Sequence, residues 1–104
     1  MVAFFMKIIK QTGERLVAAC DKEVINLVLI SHGVKIKVNQ TFYGEELVNE
    51  KELLNEIRRC TSANVIGKKI IRLLIKNNLI HEEAVLWMDL PEKKEKIGHA
   101  ILIR

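Results

Sequence analysis

The sequence predicts a single α+β domain over residues 1–104: a largely antiparallel β-sheet with helices packed on one face, in the order ββαβααββ. Three observations carry this. Segments with strand character stand at both ends of the chain, with the helical patterns between them. No strand–helix–strand alternation of the kind that builds a parallel sheet runs through it. The composition, 49% hydrophobic and 29% charged over 104 residues, is that of one globular core. A domain of this size buries roughly 65% of the surface its unfolded chain exposes, enough for a core without staples.

The elements follow in order. Residues 4–10, Phe-Phe-Met-Lys-Ile-Ile-Lys, are aromatic and β-branched, Gln11-Thr12-Gly13-Glu14 suits a hairpin loop, and residues 15–20 form the returning strand. Asp21 is a good helix N-cap, and Val24, Ile25, Leu27, Val28 and Leu29 behind it predict a short helix stopped by Ser31-His32-Gly33. Residues 34–38 alternate apolar and basic, a half-buried strand with Lys35 and Lys37 toward solvent. Gly44 marks a turn beside the aromatic pair Phe42 and Tyr43. Asn49 with Glu52 three positions on has capping-box form, and Leu53, Leu54 and Ile57 give the helix behind it an apolar face. From Thr61 or Ser62 a long helix runs through Asn77, where Asn77-Asn78 ends it. Residues 84–90 read as a strand, 91–96 as a charged turn and 98–103 as the closing strand.

Several function classes are excluded. Cys20 and Cys60 stand far apart with no Cys or His at ligand spacing, so no zinc or redox motif can be written, no metal or cofactor is implied, and both read as small buried apolar residues. Lys7 and Lys10 interrupt the apolar opening, no cleavage site follows, and later apolar runs such as residues 27–30 fall far short of a bilayer span, so a cytoplasmic protein without membrane contact is expected. The phosphate-binding loop, dinucleotide fingerprint, nucleophile elbow and metalloprotease motif are all missing. Five aromatic residues give base stacking few platforms, so contacts to nucleic acid are expected mainly at phosphate.

Charge is arranged in blocks. The formal net charge is +4, but residues 58–81 hold six Lys or Arg and no Asp or Glu, flanked by segments 44–57 and 82–92, each of net −4. On a helical wheel Lys68, Lys69, Arg72 and Lys76 share an arc of roughly 100°, opposite Ala63, Ile66, Ile70, Leu73 and Leu74. Arg58 and Arg59 extend that stripe if the helix is unbroken across Thr61. A structural helix usually interleaves signs to gain i,i+4 pairs. An acid-free row of cations instead suits backbone phosphates. Gly67 within the apolar side of this helix implies close approach of a neighbouring element or a ligand, and Asn64 a buried hydrogen bond or recognition contact. His99 is the most notable of three histidines, because its small neighbours Gly98 and Ala100 leave the ring accessible, but none has a catalytic partner at recognisable spacing.

Four ordered motifs carry a family resemblance. The run Leu16-Val17-Ala18-Ala19-Cys20-Asp21, then Phe42-Tyr43-Gly44-Glu45, Ala63-Asn64-Val65-Ile66-Gly67, and Gly98-His99-Ala100 resemble the archaeal family catalogued as domain of unknown function 424, over nearly the whole chain. The resemblance implies a small cytosolic archaeal protein of one domain and attaches no activity to it. The chain departs from the pattern at Val24-Ile25-Asn26-Leu27, where Leu-Gly-Lys is usual, and at Gly98-His99-Ala100-Ile101, where Pro-His-Ala-Gln is usual. A family-wide site would draw on Phe42, Tyr43, Gly44, Glu45, Asn64, Gly67 and His99.

The expected function is a non-enzymatic module that contacts structured RNA or a ribonucleoprotein, in a translation-related setting, through Arg58, Arg59, Lys68, Lys69, Arg72 and Lys76. Two alternatives stand beside it. One is a protein-interaction or homo-oligomerisation domain in which the acidic blocks meet the basic helix of another copy. The other is a small enzyme at residues 42–45, Asn64 and His99, which requires these to converge in one cleft.

Overall fold

Eight strands form one sheet in the order β4-β3-β7-β8-β6-β2-β1-β5 in the computed structural model, which describes residues 3–104. The strands are β1 (Phe4–Gln11), β2 (Glu14–Asp21), β3 (Val28–Ser31), β4 (Val34–Lys37), β5 (Glu46–Val48), β6 (Ser62–Ile66), β7 (Leu86–Leu90) and β8 (Glu95–Ile103). Three helices interrupt them: α1 (Gln40–Tyr43), α2 (Glu50–Arg59) and α3 (Lys68–Lys76). All neighbours pair antiparallel except β2 and β6, which run parallel with Leu16 opposite Ser62 and Cys20 opposite Ile66. No helix is long and apolar enough to cross a membrane among the described residues.

The opening hairpin, the capping box of α2 and the end of α3 at Asn77 form where the residue patterns place them. Three expectations are corrected. The apolar run after Asp21 is not a helix. A single 3₁₀ turn (Lys22–Val24) is followed by Asn26 in the left-handed region, and Val28–Ser31 then pairs with β4. His32 and Gly33 both take positive φ, the two-residue turn whose twist matches a β-hairpin, so the pair read as a helix stop is a hairpin loop. All four residues of β4 are exposed at the sheet edge, Val34 and Ile36 along with Lys35 and Lys37.

The second correction concerns residues 61–67, which are not helical. Thr61 anchors β6 to β2: its hydroxyl accepts from the Arg15 N–H at 2.8 Å, and its own N–H donates to the Arg15 carbonyl at 2.9 Å. That clamp sets the parallel register, and β6 lies inside the sheet with both faces covered. Ala63 and Val65 enter one core and Ile66 the other. Buried two-sided strands lose the alternation that marks half-exposed ones. The element order is therefore ββββαβαβαββ rather than ββαβααββ.

The third correction concerns layers. Val17 and Ala19 point into a core with Leu53 and Ile57 of α2 and Ile70, Ile71 and Leu74 of α3. Ala18 and Cys20 point the other way, into a second core with Leu29, Met88, Ile97 and Tyr43 of α1. The two longer helices share one face, while the one-turn helix α1 and the β3–β4 hairpin close the other.

Candidate functional site

α3 presents the basic surface. Its nine residues, Lys-Lys-Ile-Ile-Arg-Leu-Leu-Ile-Lys, contain no acid. Ile70, Ile71 and Leu74 are buried, while Lys68, Lys69, Arg72 and Lys76 are exposed. Lys69 donates to Glu23 at 2.7 Å, and Lys68 lies 3.8 Å from Glu95. Such exposed pairs are worth little and exchange readily with other anions. Arg72 and Lys76 have no acidic partner among the described residues. Arg72 borders three adjoining hollows of about 260, 280 and 230 Å³.

Arg58 and Arg59 do not belong to this stripe. α2 ends at Arg59 and β6 intervenes, so they lie at the far end of β6 from Lys68. Arg59 reaches Glu56 at 3.6 Å, and the same carboxylate binds Arg15 at 2.7 Å, which holds Glu56 below the usual carboxylate range. The guanidinium of Arg104 donates to the carbonyls of Ile57, Arg58 and Cys60, satisfying the open end of α2 with a cation where its dipole favours one.

The N-terminus of α3 is closed from within the chain. Asp21, only 3% exposed, accepts the Lys69 and Ile70 N–H groups on its two carboxylate oxygens, each at 2.8 Å. Burial raises its carboxyl from the ordinary value, and these two donors oppose part of that rise. The geometry is possible because Gly67, at φ +140°, has no side chain in the space Asp21 fills. Gly67 is thus the junction between β6 and α3, with no ligand required to explain it. Gly44 has the same kind of role: a Cβ there would lie 2.9 Å from the Met6 carbonyl oxygen and the Lys7 Cβ.

On the α1 face, three motif residues meet. The Tyr43 hydroxyl donates to Asn64 Oδ1 at 2.8 Å, and His99 Nε2 lies 2.9 Å from the same oxygen. A carbonyl oxygen only accepts, so Nε2 carries the proton of the neutral ring and Nδ1 is left as an acceptor. Burial pushes the Tyr43 phenol up to about 12 and the nearby Cys20 thiol up to about 12, which leaves both groups protonated at neutral pH. Gly44 and Glu45 line a different place, an open cleft of about 600 Å³ against β1 that includes none of Tyr43, Asn64 or His99. Phe42 is exposed and packs edge-on against Tyr43. The motif residues therefore divide between a hydrogen-bonded trio and a separate cleft. No group of three or more His, Cys, Asp or Glu is placed to hold a metal ion among the described residues.

Burial also lowers the His99 imidazole below its ordinary 6.5. The unfolded chain then takes up a proton that the folded chain resists, so stability is full above 6.5 and falls as pH drops through that value toward the folded one. Urea midpoints at pH 7.5 and pH 5 should show a greater loss for the wild type than for His99→Gln. Equal losses would remove His99 as the cause.

A family model described as a protein of unknown function, DUF424, matches residues 9–99, which take in Asp21, Tyr43, Gly44, Asn64, Gly67 and His99. The chain belongs to this family. Among solved structures, the crystal structure of an uncharacterized conserved protein from Methanopyrus kandleri is similar, with 15% identity, a TM-score of 0.71, and coverage of 98% of this chain and 94% of that one. At that identity the likeness to the DUF424 chain is one of fold. No curated protein matches.

Two residues of the α3 surface escaped the sequence reading of this DUF424 chain. Trp87, 44% exposed, and Lys96 border the hollow beside Lys68 and Arg72. The signal lay in register: Trp87 stands opposite Gly98 across β7 and β8, and its ring covers the surface that glycine leaves bare. That pairing is invisible until the strands are aligned.

Proposed function

We propose that this DUF424 chain is a non-enzymatic module that binds structured RNA, alone or within a ribonucleoprotein of translation, on the surface built by α3. One observation supports this above others: Arg72 and Lys76 stand exposed on an acid-free helix, and neither forms an ion pair among the described residues. Lys68 and Lys69 add two cations held only by exposed pairs. Cations in a row along one face track successive phosphates, and each contact releases counterions.

Affinity for transfer RNA and ribosomal RNA, measured across a salt series, tests the reading. Three or four phosphate contacts give a slope of log affinity against log salt of about −3. The variant Lys68→Glu/Lys69→Glu/Arg72→Glu should lose most of that slope and bind at least about tenfold more weakly. Equal, negligible binding by both proteins ends the proposal. A salt-labile oligomer seen by sedimentation in RNA-free buffer would instead favour pairing of the basic helix with the acidic segments 44–57 and 82–92 of a second copy.

A further inference from the structure

The hollow of about 260 Å³ beside α3 differs in kind from the rest of the basic surface. It is lined by Ile71, Ile75 and Trp87 together with the charged Lys68, Arg72, Lys96 and Glu82. Trp87 is the chain's one tryptophan, and it is 44% exposed even though its ring rests over Gly98. A large aromatic surface left open among cations is unusual for a solvated helix flank, where charged side chains alone suffice.

We infer that this hollow takes one unpaired base of the bound RNA, stacked on Trp87, with the flanking phosphates held by Lys68, Arg72 and Lys96. The inference rests on the RNA-binding reading above and adds what that surface recognises. Size supports a single base: clefts that enclose a drug-sized ligand run to roughly 300–1,000 Å³, and this hollow falls below that range. Chemistry supports the same occupant. Ile71, Ile75 and the indole form an apolar slot for a flat π-system, and stacking of this type accepts any base. Lys68 and Lys96 hold Glu95 and Asp89 only through exposed pairs, so both can turn to phosphate. Arg72 forms no ion pair among the described residues. The Glu82 carboxylate repels phosphate and can only accept hydrogen bonds, so it directs a base edge with N–H donors inward and the backbone toward the cations. Paired bases in an A-form helix cannot reach such a slot, whereas bulged, looped or terminal ones can.

The sole tryptophan makes the test direct. An RNA hairpin with a short single-stranded tail is compared with the same hairpin whose tail carries abasic sites, which keep every phosphate and remove the bases. The tailed hairpin should quench Trp87 emission and bind about tenfold more tightly than its abasic counterpart, the order that one stacked base contributes. Trp87→Leu keeps an apolar cover over Gly98 but lacks the π-face, so it should bind both hairpins equally and at the abasic level. Should both hairpins bind wild type equally without quenching, the base slot is overturned while RNA binding stands. If neither hairpin binds, the slot and the RNA-binding reading fall together.

Discussion

Gly67→Ala is expected to lower the stability of the fold by about 3–5 kcal/mol, a loss assembled from backbone strain, a broken helix cap and an orphaned buried amide. Gly67 sits at φ +140° and ψ 161°, a region that glycine alone occupies without strain of about 1–3 kcal/mol. An added Cβ would also lie 2.4 Å from Asp21 Cγ and 2.8 Å from Asp21 Cβ. Asp21 cannot yield cheaply, because swinging away would abandon the Lys69 and Ile70 N–H groups, and Ile70 is fully buried. Losing a carboxylate cap costs about 1 kcal/mol, and an unsatisfied buried N–H about 1–3 kcal/mol more. Thermal unfolding should therefore drop by roughly 15 °C or more. A double mutant separates the components. Asp21→Ala relieves the clash but not the strain, so Asp21→Ala/Gly67→Ala should cost clearly less than the two single losses added together. Strict additivity would show that Gly67 and Asp21 do not meet as described.

The same junction explains which parts of the architecture could be read from residues. Asp21 is a helix cap, as its type and position suggest, but the helix it caps begins 47 residues later at Lys68 rather than at its own successor. Local pattern identifies a capping side chain without naming its helix. Residues 63–70 mislead for a related reason. Ala63 and Ile66 fall on one helical period with Ile70, yet only Ile70 belongs to α3, and the other two are buried on opposite faces of the central strand β6. What decides between helix and strand is Thr61 gripping Arg15 across 46 residues of sequence, a contact no window of neighbours contains. By contrast, the opening hairpin and the α2 capping box are made by residues adjacent in sequence, and both form as their patterns imply. The basic stripe was legible over Lys68 to Lys76 because it lies within one real helix. It failed at Arg58 and Arg59, where it relied on a helix continuing through β6. Trp87 was missed because exposure of an aromatic depends on its cross-strand neighbour, here Gly98.

Asn64→Leu is expected to cost about 2–4 kcal/mol, more than its near-equal volume suggests, because two donors converge on the oxygen it removes. The Tyr43 hydroxyl, in a residue only 7% exposed, and His99 Nε2 would both lose their acceptor, each at about 1–3 kcal/mol when buried and less where water reaches. Tyr43→Phe should cost only about 1 kcal/mol, since Asn64 keeps His99 and no buried group is orphaned. In the double mutant the phenol that Asn64→Leu strands is already gone, so the combined loss should fall short of the sum by about 1 kcal/mol or more. The effect has a location as well as a size. α1 is one turn of four residues, far too short to persist by itself, and it stays on the sheet through the buried Tyr43 ring and this hydroxyl. Amide exchange at Tyr43 and Gly44, whose N–H groups bond back to Asn39 and Gln40, should accelerate in Asn64→Leu well beyond exchange in β2 and β6. If all three regions accelerate equally, the network supports the whole sheet. If only α1 responds, Asn64 is the latch that holds the Phe42–Glu45 segment against the strands.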